Sequence, residues 1–262
     1  MAMIVDVHAH LDHASFDMDR DEVIKRAVDA GVKAINTNGL NPETNRKTLE
    51  LSRKYDIVKA AIGIYPPDAL RKEVEHSDNP LDAEMFDVSK EIEFIRKNAE
   101  NIIAIGECGL DFTASNEQEK EEQKDVFRKM IALAEELNKP IVVHSRKAEK
   151  DVIDILSESG IKKVLLHCFC GKKGLVKQGA DLGYYFSIPC NVVRAQNFQQ
   201  IVEKVNINQL LTETDSPFLS PFRDKRNEPS FITESIKKIA EIKEMDIDEV
   251  EKNIYMNYQK LF

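Results

Sequence analysis

Six residues able to hold a divalent cation stand at one kind of place in this chain, the end of a short apolar run. His8 and His10 close MIVDVHAH, Glu107 closes NIIAIGE, His144 closes PIVVH, His167 closes KVLLH, and Asp215 follows QLLTET. Imidazole nitrogens and carboxylate oxygens together suit magnesium, manganese or zinc. A cation held this way lowers the pKa of water to about 7 and polarises an ester or phosphoryl oxygen. The implied chemistry is hydrolysis, provided that residues some two hundred positions apart meet in one pocket.

Each residue also has a plainer role, and the set carries more than its members. His8 and His10 are two apart, so on a strand they project to the same face. Such pairs also arise by chance among six histidines. His144 and His167 taken singly read as core histidines satisfied by backbone carbonyls. Glu107 is costly to bury unless it is paired or metal-bound, and its two oxygens can bridge two cations. Asp215 can ligate metal and accept a proton from an activated water, or can cap the turn at Ser216-Pro217. Glu213, two residues earlier, is placed to support a ligand from behind. Asp6 and Asp111 read as core and turn residues, and Cys168 and Cys170 as packing. Arg146, two past His144, shares its face and can hold a phosphate by two hydrogen bonds. Lys172, Lys173, Arg194, Arg223, Lys225 and Arg226 fall in presumed loops and make a local basic rim.

Strands must deliver these groups. Short β-branched runs predict strands over 3–8, 32–37, 57–64, 101–106, 140–144, 163–167, 183–188 and 209–213. Runs such as NIIAI, PIVV and KVLL are apolar throughout, which suits strands buried on both faces. Helical spacing appears between them. Val23, Ile24 and Ala27 share a face before Gly31, Asn41-Pro42 reads as a cap with proline in the first turn, and Val88, Ile92, Ile95 and Ala99 recur together. The pattern returns over Phe127–Leu137, over Val152–Leu156, and in two carboxyl-terminal segments, Ile232–Ile242 and Ile247–Leu261. There is no G-x-G-x-x-G and no Walker loop. Alternation on this scale predicts an α/β fold, a (β/α)8 TIM barrel, as a single domain over 1–262. In such barrels catalytic groups gather at the carboxyl ends of the strands.

Composition narrows the function classes. With 46 acidic and 37 basic residues, the net charge of −9 argues against broad coating of nucleic acid or anionic membrane, and leaves local phosphate binding open. Four cysteines, Cys108, Cys168, Cys170 and Cys190, form no disulfide framework in a chain of 262 residues. No signal peptide is evident, and no stretch approaches the roughly 20 apolar residues needed to span a bilayer. The expectation is a cytoplasmic protein with no membrane association and no obligate protein partner.

Several stretches together give the chain a family resemblance. DVHAHLD at 6–12, IGECGLDF at 105–112, PIVVHSR at 140–146, LHCFCG at 166–171, ETDSPFL at 213–219 and RNEPSFI at 226–232 resemble, in order, the TatD-related metal-dependent deoxyribonucleases, within the amidohydrolase-like barrels. The resemblance implies two divalent cations, one held by His8, His10, Glu107 and Asp215 and the other by Glu107, His144 and His167. It further implies hydrolysis of DNA phosphodiesters, at ends or in single strands, by 3′–5′ exonuclease action with Asp215 and Glu107 as the catalytic carboxylates. One segment departs from the family. Gly63-Ile64-Tyr65-Pro66-Pro67 stands where G-x-H-P-H is common, a difference that bears on substrate placement and not on the ligands. Two other functions fit the same residues. One is hydrolysis of a small cyclic amide, lactone or ester, for which many such barrels bridge their cations with a carboxylated lysine where this chain has Glu107. The other is a non-catalytic metal- or DNA-binding module.

Overall fold

Eight parallel strands bond side by side in chain order, β1 to β8, each to the next. The computed structural model describes residues 3–69 and 86–262. The strands are β1 (Ile4–Ala9), β2 (Val32–Asn38), β3 (Val58–Ile62), β4 (Ala104–Asp111), β5 (Ile141–Arg146), β6 (Val164–Leu166), β7 (Tyr185–Pro189) and β8 (Leu210–Glu213). Around them lie α1 (Arg20–Asp29), α2 (Pro42–Lys54), α3 (Pro66–Ala69), α4 (Val88–Lys97), α5 (Glu117–Glu136), α6 (Glu149–Glu158), α7 (Lys173–Asp181), α8 (Gln196–Lys204), α9 (Ile232–Lys243) and α10 (Ile247–Leu261). This is the predicted barrel with its outer ring of helices. Every residue of β1 and of β4 is buried, as strands with packing on both sides require.

The helix signals read from the sequence act as expected. Asn41 caps α2 by accepting from Thr44 N–H at 3.1 Å, with Pro42 in the first turn. After α1 the chain turns through Gly31 at φ +92°. Three helices lacked a clear signal, among them the single turn of α3 at Pro66–Ala69. In α7 only Val176 and Gly179 are buried, and α8 turns just Phe198, Ile201 and Val202 inward.

β8 meets β1 through bonds that also set the site. Asp215 N–H donates to His8 O at 2.8 Å and His10 N–H to Ser216 O at 2.8 Å. Thr212 donates its hydroxyl to Val5 O at 2.7 Å. Asp6 adds a fourth tie by accepting from Thr214 N–H at 2.9 Å and from its hydroxyl at 2.6 Å. The core role expected of Asp6 is therefore specific: it joins the two strands that carry His8 and Asp215.

β4 differs from its predicted span. It begins at Ala104 and runs on to Asp111, so Glu107 lies within the strand and not at its end. The β4–β5 register is irregular between Ile105 and Cys108, and the irregularity contains Glu107. Departures of this sort re-aim a side chain beside an active site. Glu107 N–H donates to Gly39 O, just past β2, at 3.1 Å. Two residues on, Gly109 has φ +139°, and a Cβ there would meet His144 O at 2.1 Å. Only glycine lets the two strands approach this closely.

Candidate metal centre

The six residues predicted as ligands converge at the carboxyl end of the barrel. Glu107 is the hub. Its Oε2 lies 3.3 Å from His8 Nε2 and 3.6 Å from His10 Nε2. Its Oε1 lies 2.8 Å from His144 Nδ1 and 3.9 Å from His167 Nε2. One carboxylate thus presents a different oxygen to each of two imidazole pairs. Asp215 joins the first pair, with Oδ1 at 3.4 Å from His10 Nε2 and 3.7 Å from His8 Nε2.

The spacing of the first group can be compared with what a cation demands. Ligand atoms about 2.1 Å from one ion at tetrahedral angles lie about 3.4 Å apart. His8 Nε2 and His10 Nε2 are 3.2 Å apart, and their distances to Glu107 Oε2 and Asp215 Oδ1 range from 3.3 to 3.7 Å. These five distances lie near the spacing that a tetrahedral divalent ion requires. Among the described residues, the triads His8, His10, Glu107 and Glu107, His144, His167 each bring their ligand atoms within 4.8 Å of one another.

Behind these groups stands a layer that fixes their orientation. His167 donates Nδ1–H to Glu213 Oε2 at 2.7 Å, and Ser187 donates its hydroxyl to the same oxygen at 2.6 Å. This leaves His167 Nε2 facing Glu107. Its ring stacks on His8 at 3.5 Å between centroids. His10 donates Nδ1–H to Asn38 O at 3.0 Å. His144 donates Nε2–H to Asp111 Oδ2 at 3.2 Å, which leaves Nδ1 for Glu107. Tyr65 donates its hydroxyl to the same Asp111 oxygen at 3.3 Å and packs edge-on against His144.

Sequence reasoning placed Glu213 correctly and undervalued Asp111, which was read as a turn residue. Asp111 takes both roles: Oδ1 accepts from Thr113 N–H at 2.9 Å, while Oδ2 holds His144. Asn227 was also missed as a support. It is buried and donates Nδ2–H to Thr214 O at 2.8 Å and to Phe218 O at 2.7 Å, so it clamps the turn that presents Asp215. Asp215 itself has φ +54°, unusual for a residue with a side chain. Cys170, expected in the packing, is exposed, and Cys168 is partly buried.

The basic rim is sorted by the structure. Arg194 donates to Pro221 O at 2.8 Å and to Ser220 O at 2.6 Å. Arg226 forms a two-pronged pair with Asp19, at 2.9 and 2.7 Å. Both arginines brace loops. Arg146 ends β5 with its side chain exposed.

Charge balance follows from burial and proximity. Burial disfavours the His10 cation, but Asp215 and Glu107 outweigh it and hold the imidazole at about 9. Burial also opposes the charge on His167, and Glu213 overcomes it, giving about 10. His8 is pushed down, by burial first and then by the His167 charge. Burial opposes ionisation of Glu107, yet the surrounding imidazoles hold it well below the usual carboxylate range. Near neutrality His10 and His167 therefore carry protons that an incoming cation must displace. Loading is expected to release protons at pH 7, with apparent affinity rising as pH climbs towards 9. Calorimetric titration in buffers of different ionisation enthalpy measures this, and heats independent of buffer would contradict it.

Glu213→Gln is expected to weaken divalent-ion binding about 10- to 100-fold, the usual effect of removing an orienting carboxylate. Competition with a chelating dye reads the affinity directly. An unchanged value would mean that the 2.7 Å bond to His167 has no part in presenting Nε2.

The model of the TatD related DNase family matches residues 5–262. Human deoxyribonuclease TATDN3 is 36% identical, over 99% of this chain and 94% of that protein. The 3'-5' ssDNA/RNA exonuclease TatD of Erwinia amylovora is 31% identical, over 98% of each chain. Among solved structures, the TatD homologue YJJV of Escherichia coli k12 superposes with a TM-score of 0.86 at 23% identity, covering 100% of this chain and 98% of that one.

Proposed function

The chain belongs to the TatD-related DNase family, and from that premise we propose that it is a divalent-metal-dependent deoxyribonuclease that trims single strands or frayed ends from the 3′ side. The observation that carries this reading is Glu107, whose two oxygens serve two separate imidazole pairs. His8, His10, Asp215 and Glu107 Oε2 would hold one cation, and Glu107 Oε1, His144 and His167 the other, with magnesium, manganese or zinc as candidates. Bound there, the cations would lower the pKa of a water to about 7 and neutralise charge on the phosphoryl group.

The remaining steps belong to the chain's own residues. Asp215 is the carboxylate that can take the proton from the attacking water. Its side chain is 16% exposed at the mouth, whereas Glu107 beneath it is 4% exposed. Arg146, beyond His144 on β5, is placed to hold a phosphate oxygen through its guanidinium. Asp111 and Glu213 keep His144 and His167 in single tautomers, so neither ring turns as the charge at the centre changes. Tyr65 stands where family members commonly carry histidine. Burial, then the charges of Glu107 and Asp111, raise its phenol well above its ordinary range, so it stays protonated and donates to Asp111.

No described helix is long and apolar enough to cross a membrane. The free thiols Cys108, Cys168, Cys170 and Cys190 suit a reducing compartment, and we place the enzyme in the cytoplasm, working as one domain. The test is a 5′-labelled single-stranded oligonucleotide incubated with metal-loaded protein. The expected product is a ladder receding from the 3′ end. Turnover of a lactone or cyclic-amide panel with the oligonucleotide intact would overturn the reading, as would binding of DNA with no turnover at all.

A further inference from the structure

Beside the metal centre, the loop after β6 and the first turn of α7 face α8 across a cavity of about 220 Å3. Lys172, Lys173 and Lys204 line it, with Asn197 and Gln200 between them and Val176 on the apolar side. Three ammonium groups thus share one cavity in an acidic chain. No carboxylate pairs with any of them among the described residues, whereas neighbouring Lys177 is tied to Asp181 at 2.5 Å and Lys150 to Asp154. Two rim arginines, by contrast, are committed elsewhere, Arg194 to carbonyls and Arg226 to Asp19.

Two further features suit an anion. Helix α7 has Lys172 at its N-cap position and no side chain capping its first N–H groups. These are the amides that bind phosphate at other helix starts. A Cβ built on Gly174, in that first turn, meets nothing within 4 Å, so the approach is open. The cavity also adjoins the centre along the chain: Cys170, one of its lining residues, stands three residues past His167 and accepts a hydrogen bond from Asn197 Nδ2 of α8 at 3.4 Å.

We propose that this cavity is a subsite for a backbone phosphate of the nucleic-acid strand whose terminal linkage lies at the metal centre. The proposal rests on the hydrolytic reading above and adds where the strand continues: past β6 and over α7, not across the β8 loop braced by Arg194 and Arg226. The lysines supply the charge, and the amides at the start of α7 supply direction.

The experiment combines Lys172→Ala, Lys173→Ala and Lys204→Ala in the metal-loaded full chain. Two substrates are compared, a short single-stranded oligodeoxynucleotide and bis-p-nitrophenyl phosphate, which has no second phosphate to bind. The ratio of kcat/KM for the oligonucleotide to that for the small diester is expected to fall about tenfold, as for loss of one charge-assisted contact. The slope of log KM for the oligonucleotide against log salt is expected to flatten by about 0.7, the increment for one phosphate on a single strand. A control that combines Lys25→Ala, Lys33→Ala and Lys129→Ala removes the same charge from exposed sites away from the mouth. An unchanged ratio in the first variant, or an equal fall in the control, would overturn the proposal. If wild-type protein cleaved the small diester and left the oligonucleotide intact, the subsite would be refuted while the hydrolytic centre stood. Cleavage of neither would refute both.

Discussion

Glu107→Gln is expected to reduce bound divalent ions from about two per chain to fewer than one. Phosphodiesterase activity should fall on the order of 10^3-fold, since cations at such a site supply several kcal/mol of charge stabilisation. The amide keeps the volume and one oxygen, but it cannot present an anionic oxygen to each imidazole pair. Burial normally works against a carboxylate here, and the imidazoles hold it ionised. The substitution therefore removes a charge on which both halves of the pocket depend. Elemental analysis and a chromogenic diester together read the outcome. Retention of two ions with near-normal turnover would show that Glu107 is not the bridge.

Asp215→Asn is expected to lower kcat by about 10^2- to 10^4-fold, the range for losing a positioned general base. The oxygen that faces His10 and His8 is retained in an amide, so metal content should fall less than for Glu107→Gln. The pH profile separates the roles. His10 owes its elevated position partly to Asp215, so in the variant the imidazole should release its proton at lower pH. Loading should then release fewer protons near neutrality. Unaltered kcat would remove Asp215 from the proton path, and unaltered proton release would uncouple it from His10.

Most of the barrel was legible because its signals are local. Runs such as PIVV and KVLL carry their burial on their face, and Asn41-Pro42 announces a helix start through chemistry confined to a few residues. The ligands were legible because each stands at or near the end of such a run. Glu107 was only partly so. The strand predicted over 101–106 stops at Gly106, whereas Gly106 and Gly109 permit β4 to continue while touching β5. Asp111 and Asn227 escaped for a different reason. Asp111 meets His144 across 33 positions, and Asn227 holds carbonyls of the turn at Thr214 and Phe218, so neither carries a periodicity that marks it. The basic rim shows the same limit. Lys172 and Arg194 look alike in sequence, and only the fold shows that one lines a cavity with no carboxylate partner among the described residues while the other is fastened to backbone.

The central claim is that six residues distant in the chain hold two cations around one carboxylate. Diffraction from crystals soaked in manganese, with anomalous scattering recorded, tests it most directly. Two peaks are expected, one among His8, His10, Asp215 and Glu107 Oε2, the other among Glu107 Oε1, His144 and His167. Crystals with no anomalous peak at this pocket, or with manganese bound only elsewhere on the barrel, would contradict the account.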